Sequence, residues 1–184
     1  AASFAADSAG ASRAASSRWP YASSGIPDEL FIRGDVPMTK QEVRAAALAK
    51  LAVQPGDTLW DVGAGTGSVS VELALAAPRG HVYAVECDPD ACALIRQNRE
   101  KFQTYNLTLI EGRAPGALAD LPAPDAVFIG GTKGGMEAVL DEVLGKNPNA
   151  RICISAIALE TLGAAIAALT AVSYTHLRAH ETRR

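Results

Sequence analysis

The stretch Leu59-Trp60-Asp61-Val62-Gly63-Ala64-Gly65-Thr66-Gly67-Ser68 constrains this chain more than any other. An apolar run passes straight into three glycines at alternate positions. The run predicts a short buried strand. The glycines predict a sharp turn in which no Cβ keeps the backbone away from a ligand. Residues 69–77 have helix composition, so the first free N–H groups of that helix open into the same turn. Strand, glycine turn and helix start together make a nucleotide-type cofactor site.

The same alternation continues. Residues 82–85 read as a strand, 89–102 as a helix with Pro89 in its first turn, and 107–110 as a strand. A short helix at 114–119, a strand at 126–129, a helix at 135–144, a strand at 152–157 and a helix at 159–171 follow. Strands separated by helices predict an α/β fold with a parallel sheet and right-handed crossovers. Ahead of the first strand, Pro37-Met38-Thr39-Lys40-Gln41-Glu42 reads as a helix start, with Thr39 as N-cap and Glu42 completing a capping box. Val43, Ala46, Ala47 and Leu51 follow at helical spacing. Residues 25–33 read as a loop that packs across the fold.

Residues 1–24, rich in Ala and Ser, read as a flexible linker, and 25–171 as one domain. Residues 172–184 have no clear period and resemble the translation of a transposon-based sequencing adapter. They read as a read-through scar on a truncated reading frame, the other reading being a genuine polar tail. The 17 Lys and Arg against 20 Asp and Glu give a formal charge of −3. Leaving out 172–184 removes three arginines and one glutamate and makes it −5, which predicts no nucleic-acid partner. It also leaves His81 as the one histidine, too little for a histidine triad or a His-rich metal site. Cys87, Cys92 and Cys153 stand at no metal-ligand spacing and fit reduced thiols in a cytoplasmic protein. No apolar run is long enough for a membrane span.

Three signals mark the site. The glycine spacing departs from the dinucleotide fingerprint, because the third glycine comes one position early, and the turn lacks a P-loop lysine. The acid before it, Asp61, suits a cofactor carrying positive charge. Glu86, about 20 residues on at the end of the second strand, can accept from a ribose diol, with Asp88 a close competitor. The corner Glu111-Gly112-Arg113-Ala114 after the third strand can offer a backbone N–H to an adenine edge. All three fall at the carboxyl ends of strands, where open α/β sheets bind ligands.

This constellation resembles the class I S-adenosylmethionine-dependent methyltransferases. With Gly25-Ile26-Pro27-Asp28-Glu29-Leu30-Phe31, the segment 37–44, Phe128-Ile129-Gly130-Gly131 and the segment 155–161 in order, it is similar more narrowly to the decarboxylating precorrin C15-methyltransferases of cobalamin biosynthesis. The resemblance implies a Rossmann-like, doubly wound, mostly parallel sheet, truncated here before its last strands. It implies S-adenosylmethionine held by Thr39, Gly63, Ala64, Gly65, Thr66, Gly67, Glu86, Gly112 and Ala114. It further implies a tetrapyrrole substrate, a fused or separate precorrin C5-methyltransferase domain, and a homo-oligomer, commonly a tetramer. A substrate with many carboxylates calls for cations. Arg33, Lys40, Arg44, Arg113 and Lys133 are candidates, with Gly130 and Gly131 letting backbone approach the macrocycle. The competing readings are another class I methyltransferase (acting on tRNA adenine or isoaspartyl protein), a nicotinamide oxidoreductase, and a non-catalytic cofactor-binding remnant.

Overall fold

The computed structural model describes residues 19–20, 23–132, 134–155, 163 and 166. Five parallel strands form one sheet in the order β3-β2-β1-β4-β5: β1 Thr58–Val62, β2 His81–Glu86, β3 Leu107–Glu111, β4 Ala126–Ile129 and β5 Arg151–Ile154. The helices are α1 Gln41–Leu51, α2 Ser68–Ala76, α3 Pro89–Phe102 and α4 Met136–Lys146. The chain winds outward from β1 to β3, then returns to the other side of β1 for β4. That reversal opens a crevice at the carboxyl ends of the central strands.

Side chains alternate across the sheet, so each strand serves two cores. Leu59, Ala84 and Phe128 pack with α1 and α2. Trp60, Val62, Val85, Val127 and Ile129 pack with α4 through Met136, Val139, Leu140 and Val143. Helix α2 lies between the sheet, α1 and α3, and every residue from Ser68 to Ala74 is buried.

Through residue 154 the expected strands and helices form, with differences at their edges and one reduced to a single turn. Strand β4 and helix α3 have the expected bounds. At α3, Asp88 caps by accepting from the Asp90 N–H (2.9 Å), and Pro89 takes the first turn. The short helix expected at 114–119 is a single 3₁₀ turn, Gly116–Leu118. The capping box at Thr39 does not form. Lys40 occupies the N-cap with no side-chain bond, and the Thr39 carbonyl instead accepts from Arg44 Nη1. The buried face of α1 is Arg44, Ala47, Leu48 and Leu51, while Val43 is exposed. Arg44 turns inward because the buried carboxylate of Glu72 on α2 meets its Nε at 2.8 Å. Of the helix expected at 159–171, only Gly163 and Ile166 are described, both helical; the rest lies outside the described residues, as do positions 156–157 of the last expected strand.

Residues 25–40 form a strap across α1, α2 and α3. Glu72 accepts from the backbone N–H groups of Gly25 (2.7 Å) and Ile26 (3.0 Å). Arg44 donates to Glu72, Asp28, and the carbonyls of Ile26 and Thr39. Farther along, Asn98 on α3 accepts from the Ile32 N–H and donates to the Ile32 carbonyl, both at 2.8 Å. Burial alone pushes the Asp28 carboxyl up, but the hydrogen bond and charge of Arg44, with Lys40 helping, outweigh it and hold the group below its ordinary value.

Candidate functional site

The three glycines of the turn have positive φ, +73° at Gly63, +56° at Gly65 and +76° at Gly67. Each also meets a different part of the protein. A Cβ on Gly63 would lie 2.4 Å from the Gly131 carbonyl oxygen. One on Gly65 would lie 3.3 Å from the Pro37 carbonyl oxygen, and one on Gly67 3.0 Å from Ile95 Cγ1. The turn is thus pressed between the loop after β4, the strap and α3.

Glu86 ends β2 facing this turn. Its Oε2 accepts from the Gly65 N–H (2.9 Å), and its Oε1 accepts from the N–H groups of Cys87 (2.8 Å) and Asp88 (2.9 Å). A carboxylate has about four acceptor positions, so three backbone donors fix its orientation and leave capacity for one more. Around turn and acid lies a cleft of about 290 Å³. Its walls are strap residues 36–39, turn residues 62–66, residues 85–88 with Ala91, the corner 112–114, and residues 130–132 after β4.

The cleft gathers Thr39, Gly63, Ala64, Gly65, Thr66, Glu86, Gly112, Ala114, Gly130 and Gly131. Gly67 stands behind the lining as the N-cap of α2. Of the expected cations, Arg113 lines the cleft, while Arg33 is exposed outside it. Lys40 points away and pairs with Asp28 at 3.6 Å. Arg44 is fully buried in the strap network and so is no surface for a substrate. Lys133 lies outside the described residues. The sequence marks no role for Val36, Cys87 or Ala91, all in the lining. Nothing in their local pattern marks them, since only the fold brings them to one mouth. Among the described residues no group of acids, histidines or cysteines is placed to hold a metal ion.

Two polar groups near the turn stand out. The Thr66 hydroxyl is buried without a hydrogen-bond partner among the described residues, and Thr66 lines the cleft. Asp61, on β1 just before the turn, is fully buried. Its Oδ2 accepts from the Ser70 hydroxyl, and its Oδ1 has no partner among the described residues. Burial pushes its carboxyl up to about 7; the Ser70 hydrogen bond opposes this and the Glu86 charge adds to it.

An acid with a raised folded pKa stabilises the fold fully below its unfolded value near 3.8, and loses that contribution as pH rises to about 7. Asp61→Asn removes the slope. Relative to the unsubstituted protein, the variant is expected to gain on the order of 2 kcal/mol between pH 5 and pH 8. Urea unfolding of both proteins at the two pH values checks this, and parallel pH dependence would refute it.

The comparisons with known proteins agree with this geometry. Residues 29–183 match the precorrin methyltransferase domain family. A probable cobalt-precorrin-6B C(15)-methyltransferase (decarboxylating) from Pyrobaculum calidifontis is 48% identical over 156 residues, covering 82% of this chain and 79% of that protein. The Salmonella typhimurium enzyme of that name is 44% identical over 146 residues, covering 78% and 75%. The crystal structure of precorrin-6y C5,15-methyltransferase from Geobacter metallireducens superposes with a TM-score of 0.79 at 41% identity, covering 83% of this chain and 82% of that one. A Thermotoga maritima SAM-dependent O-methyltransferase, 18% identical with a TM-score of 0.63, shares the fold alone. A five-stranded parallel sheet in this order, a glycine turn facing an acid at the end of β2, and this extent of identity lead to one assignment: the chain belongs to the precorrin methyltransferase family, with the Rossmann-like class I methyltransferase fold.

Proposed function

We propose that this chain is an S-adenosylmethionine-dependent C-methyltransferase that methylates C15 of a precorrin, with or without cobalt, and decarboxylates its C12 acetate arm during cobalamin biosynthesis. The observation that carries the reading is the 48% identity to a decarboxylating C15-methyltransferase, spread over 82% of the chain. The cleft fits the cofactor on its own terms. It has a backbone cradle at positive φ, a fixed carboxylate with spare acceptor capacity, and a buried Thr66 hydroxyl lacking a partner among the described residues.

The cofactor supplies a methyl group on a sulfonium. Glu86 would accept from its ribose, the backbone of Gly63, Ala64, Gly65 and Thr66 would cradle it, and Gly112 and Ala114 would border its base. Thr39 and the strap close the cleft from the α1 side and exclude water, which a displacement at carbon requires more than it requires a strong base. Arg113 is the described cation of the lining, and it would pair with a carboxylate arm of the tetrapyrrole. Gly130 and Gly131 let the macrocycle approach the mouth. In the decarboxylation, the bond from the acetate methylene to its carboxylate breaks, carbon dioxide leaves, and the electron pair enters the conjugated ring before a proton replaces it. The substrate thereby serves as its own electron sink. A precorrin C5-methyltransferase, fused or separate, is the companion activity, and the cytoplasm is the compartment where both cofactor and precorrin are at hand.

The test is incubation of the protein with precorrin-6Y or precorrin-7 and methyl-labelled S-adenosylmethionine, followed by mass spectrometry. One labelled methyl gained and one carbon dioxide lost is the expected product. Cofactor binding with neither change would remove the substrate assignment, and no cofactor binding would remove the whole reading.

A further inference from the structure

We propose that Asn98, which lies outside the cleft, is a positioning residue that sets cofactor affinity by locking one peptide of the glycine turn to the strap. The inference rests on the S-adenosylmethionine reading above. Asn98 is fully buried on α3. Its Nδ2 donates to the Thr66 carbonyl (2.9 Å) and the Ile32 carbonyl (2.8 Å), and its Oδ1 accepts from the Ile32 N–H (2.8 Å). Both amide hydrogens and the oxygen are therefore committed, all to backbone, and to two segments that each contribute residues to the cleft wall, the glycine turn and the strap.

The bond to Thr66 acts on a pinned plane. The carbonyl of the Thr66–Gly67 peptide is held by Asn98, while its N–H donates to the Ala64 carbonyl (2.9 Å). With both ends held, this peptide does not flip. Without Asn98, a turn with glycines on both sides of Thr66 has many conformers open to it. Ile95, one helical turn earlier on α3, sits against Gly67, so packing and hydrogen bonding act from the same helix. Thr66 is also the residue whose hydroxyl is buried at the cleft without a partner among the described residues. Fixing its peptide fixes where that hydroxyl is presented. Ile32 lies on the strap four residues before Val36, where the cleft wall begins. Order present before binding is order the ligand need not impose, so its loss appears in affinity.

The competing view is that Asn98 is only a satisfied core amide whose loss lowers stability. Asn106 supplies the control. Its Nδ2 likewise donates to two carbonyls, Ala74 (3.0 Å) and Ala77 (2.9 Å), at the far end of α2 from the cleft. The experiment measures S-adenosylmethionine binding by calorimetry, backbone hydrogen exchange over residues 64–68 without cofactor, and KM and kcat for the unsubstituted protein, Asn98→Ala, Asn98→Asp and Asn106→Ala. Asn98→Asp is isosteric. It keeps an acceptor for the Ile32 N–H but sets a carboxylate against two carbonyls, and it supplies the readout if Asn98→Ala does not fold.

Both Asn98 variants are expected to bind cofactor about tenfold more weakly, the equivalent of one to two net hydrogen bonds. Exchange over 64–68 should be faster, and kcat at saturating cofactor within about threefold, the effect falling on cofactor KM. Asn106→Ala should lower the melting temperature and leave affinity unchanged. Asn98 variants that bind within twofold of the unsubstituted protein, or an equal loss in Asn106→Ala, would overturn the inference while leaving the function standing. An unsubstituted protein that binds no cofactor would overturn both.

Discussion

Gly63→Ala is expected to destabilise the fold by about 3 kcal/mol or more and to abolish cofactor binding. Two costs combine. At φ +73° an L side chain occupies the left-handed region, at about 1–2 kcal/mol. The new Cβ would also lie 2.4 Å from the Gly131 carbonyl oxygen and 2.9 Å from its nitrogen. Both are backbone atoms, so no side chain can rotate away and the ends of β1 and β4 must separate. That separation works against the bond from the Gly130 N–H to the Val62 carbonyl (2.9 Å). For a domain of this size the shift in melting temperature is about 6–12 °C. Gly131→Ala is the paired control, since its Cβ would meet nothing within 4 Å. It should change stability by no more than about 0.5 kcal/mol. Urea unfolding of the two variants decides: a Gly63→Ala protein within about 1 kcal/mol of the unsubstituted one would show that the loops separate without cost.

That contrast shows what the sequence could and could not convey. The turn was legible because three alternate glycines after an apolar run have few other uses. Their reason was only half legible. Read along the chain, they make room for a ligand; in the fold, each also makes room for Gly131, Pro37 or Ile95, atoms remote in sequence. The start of helix α3 was readable because Pro89 is a local signal for a first turn, while the Asp88 cap beside it emerged only in the structure. Helix α1 was not so readable, because its buried face is decided by Glu72, 28 residues away from Arg44. A pattern that scores only apolar residues puts Val43 inward and leaves the arginine in water. The cations were legible only in part for the same reason. Charge is written in the sequence but direction is not, so Lys40 and Arg113 looked alike until one was found paired with Asp28 and the other facing the cleft. Asn98 carries no sequence signal at all, since an asparagine in a helix is ordinary until its three partners are in place.

The buried pair that misled the sequence reading yields the second large expected effect. Arg44→Met should cost about 3–5 kcal/mol. The guanidinium is 0% exposed and the Glu72 side chain 1%. Methionine can fill much of the volume, so packing, including the stacking over Phe31 at 4.7 Å, is the smaller loss. The larger loss is a carboxylate left in the interior with only the Gly25 and Ile26 N–H groups, beside two carbonyls whose donor has gone. Glu72→Gln should cost less, about 1–2 kcal/mol, because an amide oxygen still accepts from the strap and Asp28 remains as a partner for Arg44 at 2.8 Å. Combining the two removes the stranded charge. The double variant should therefore be more stable than Arg44→Met alone, with an interaction energy of about 1–3 kcal/mol by denaturant unfolding. Simple additivity would mean that the pair contributes no more than its separate contacts. Because the same guanidinium holds the Thr39 carbonyl at the cleft wall, Arg44→Met should also weaken cofactor binding. The double variant should recover stability without recovering that affinity, since neither methionine nor glutamine restores the donor to Thr39. Recovery of both together would show that the strap needs only a neutral interior to close the cleft, and not the arginine itself.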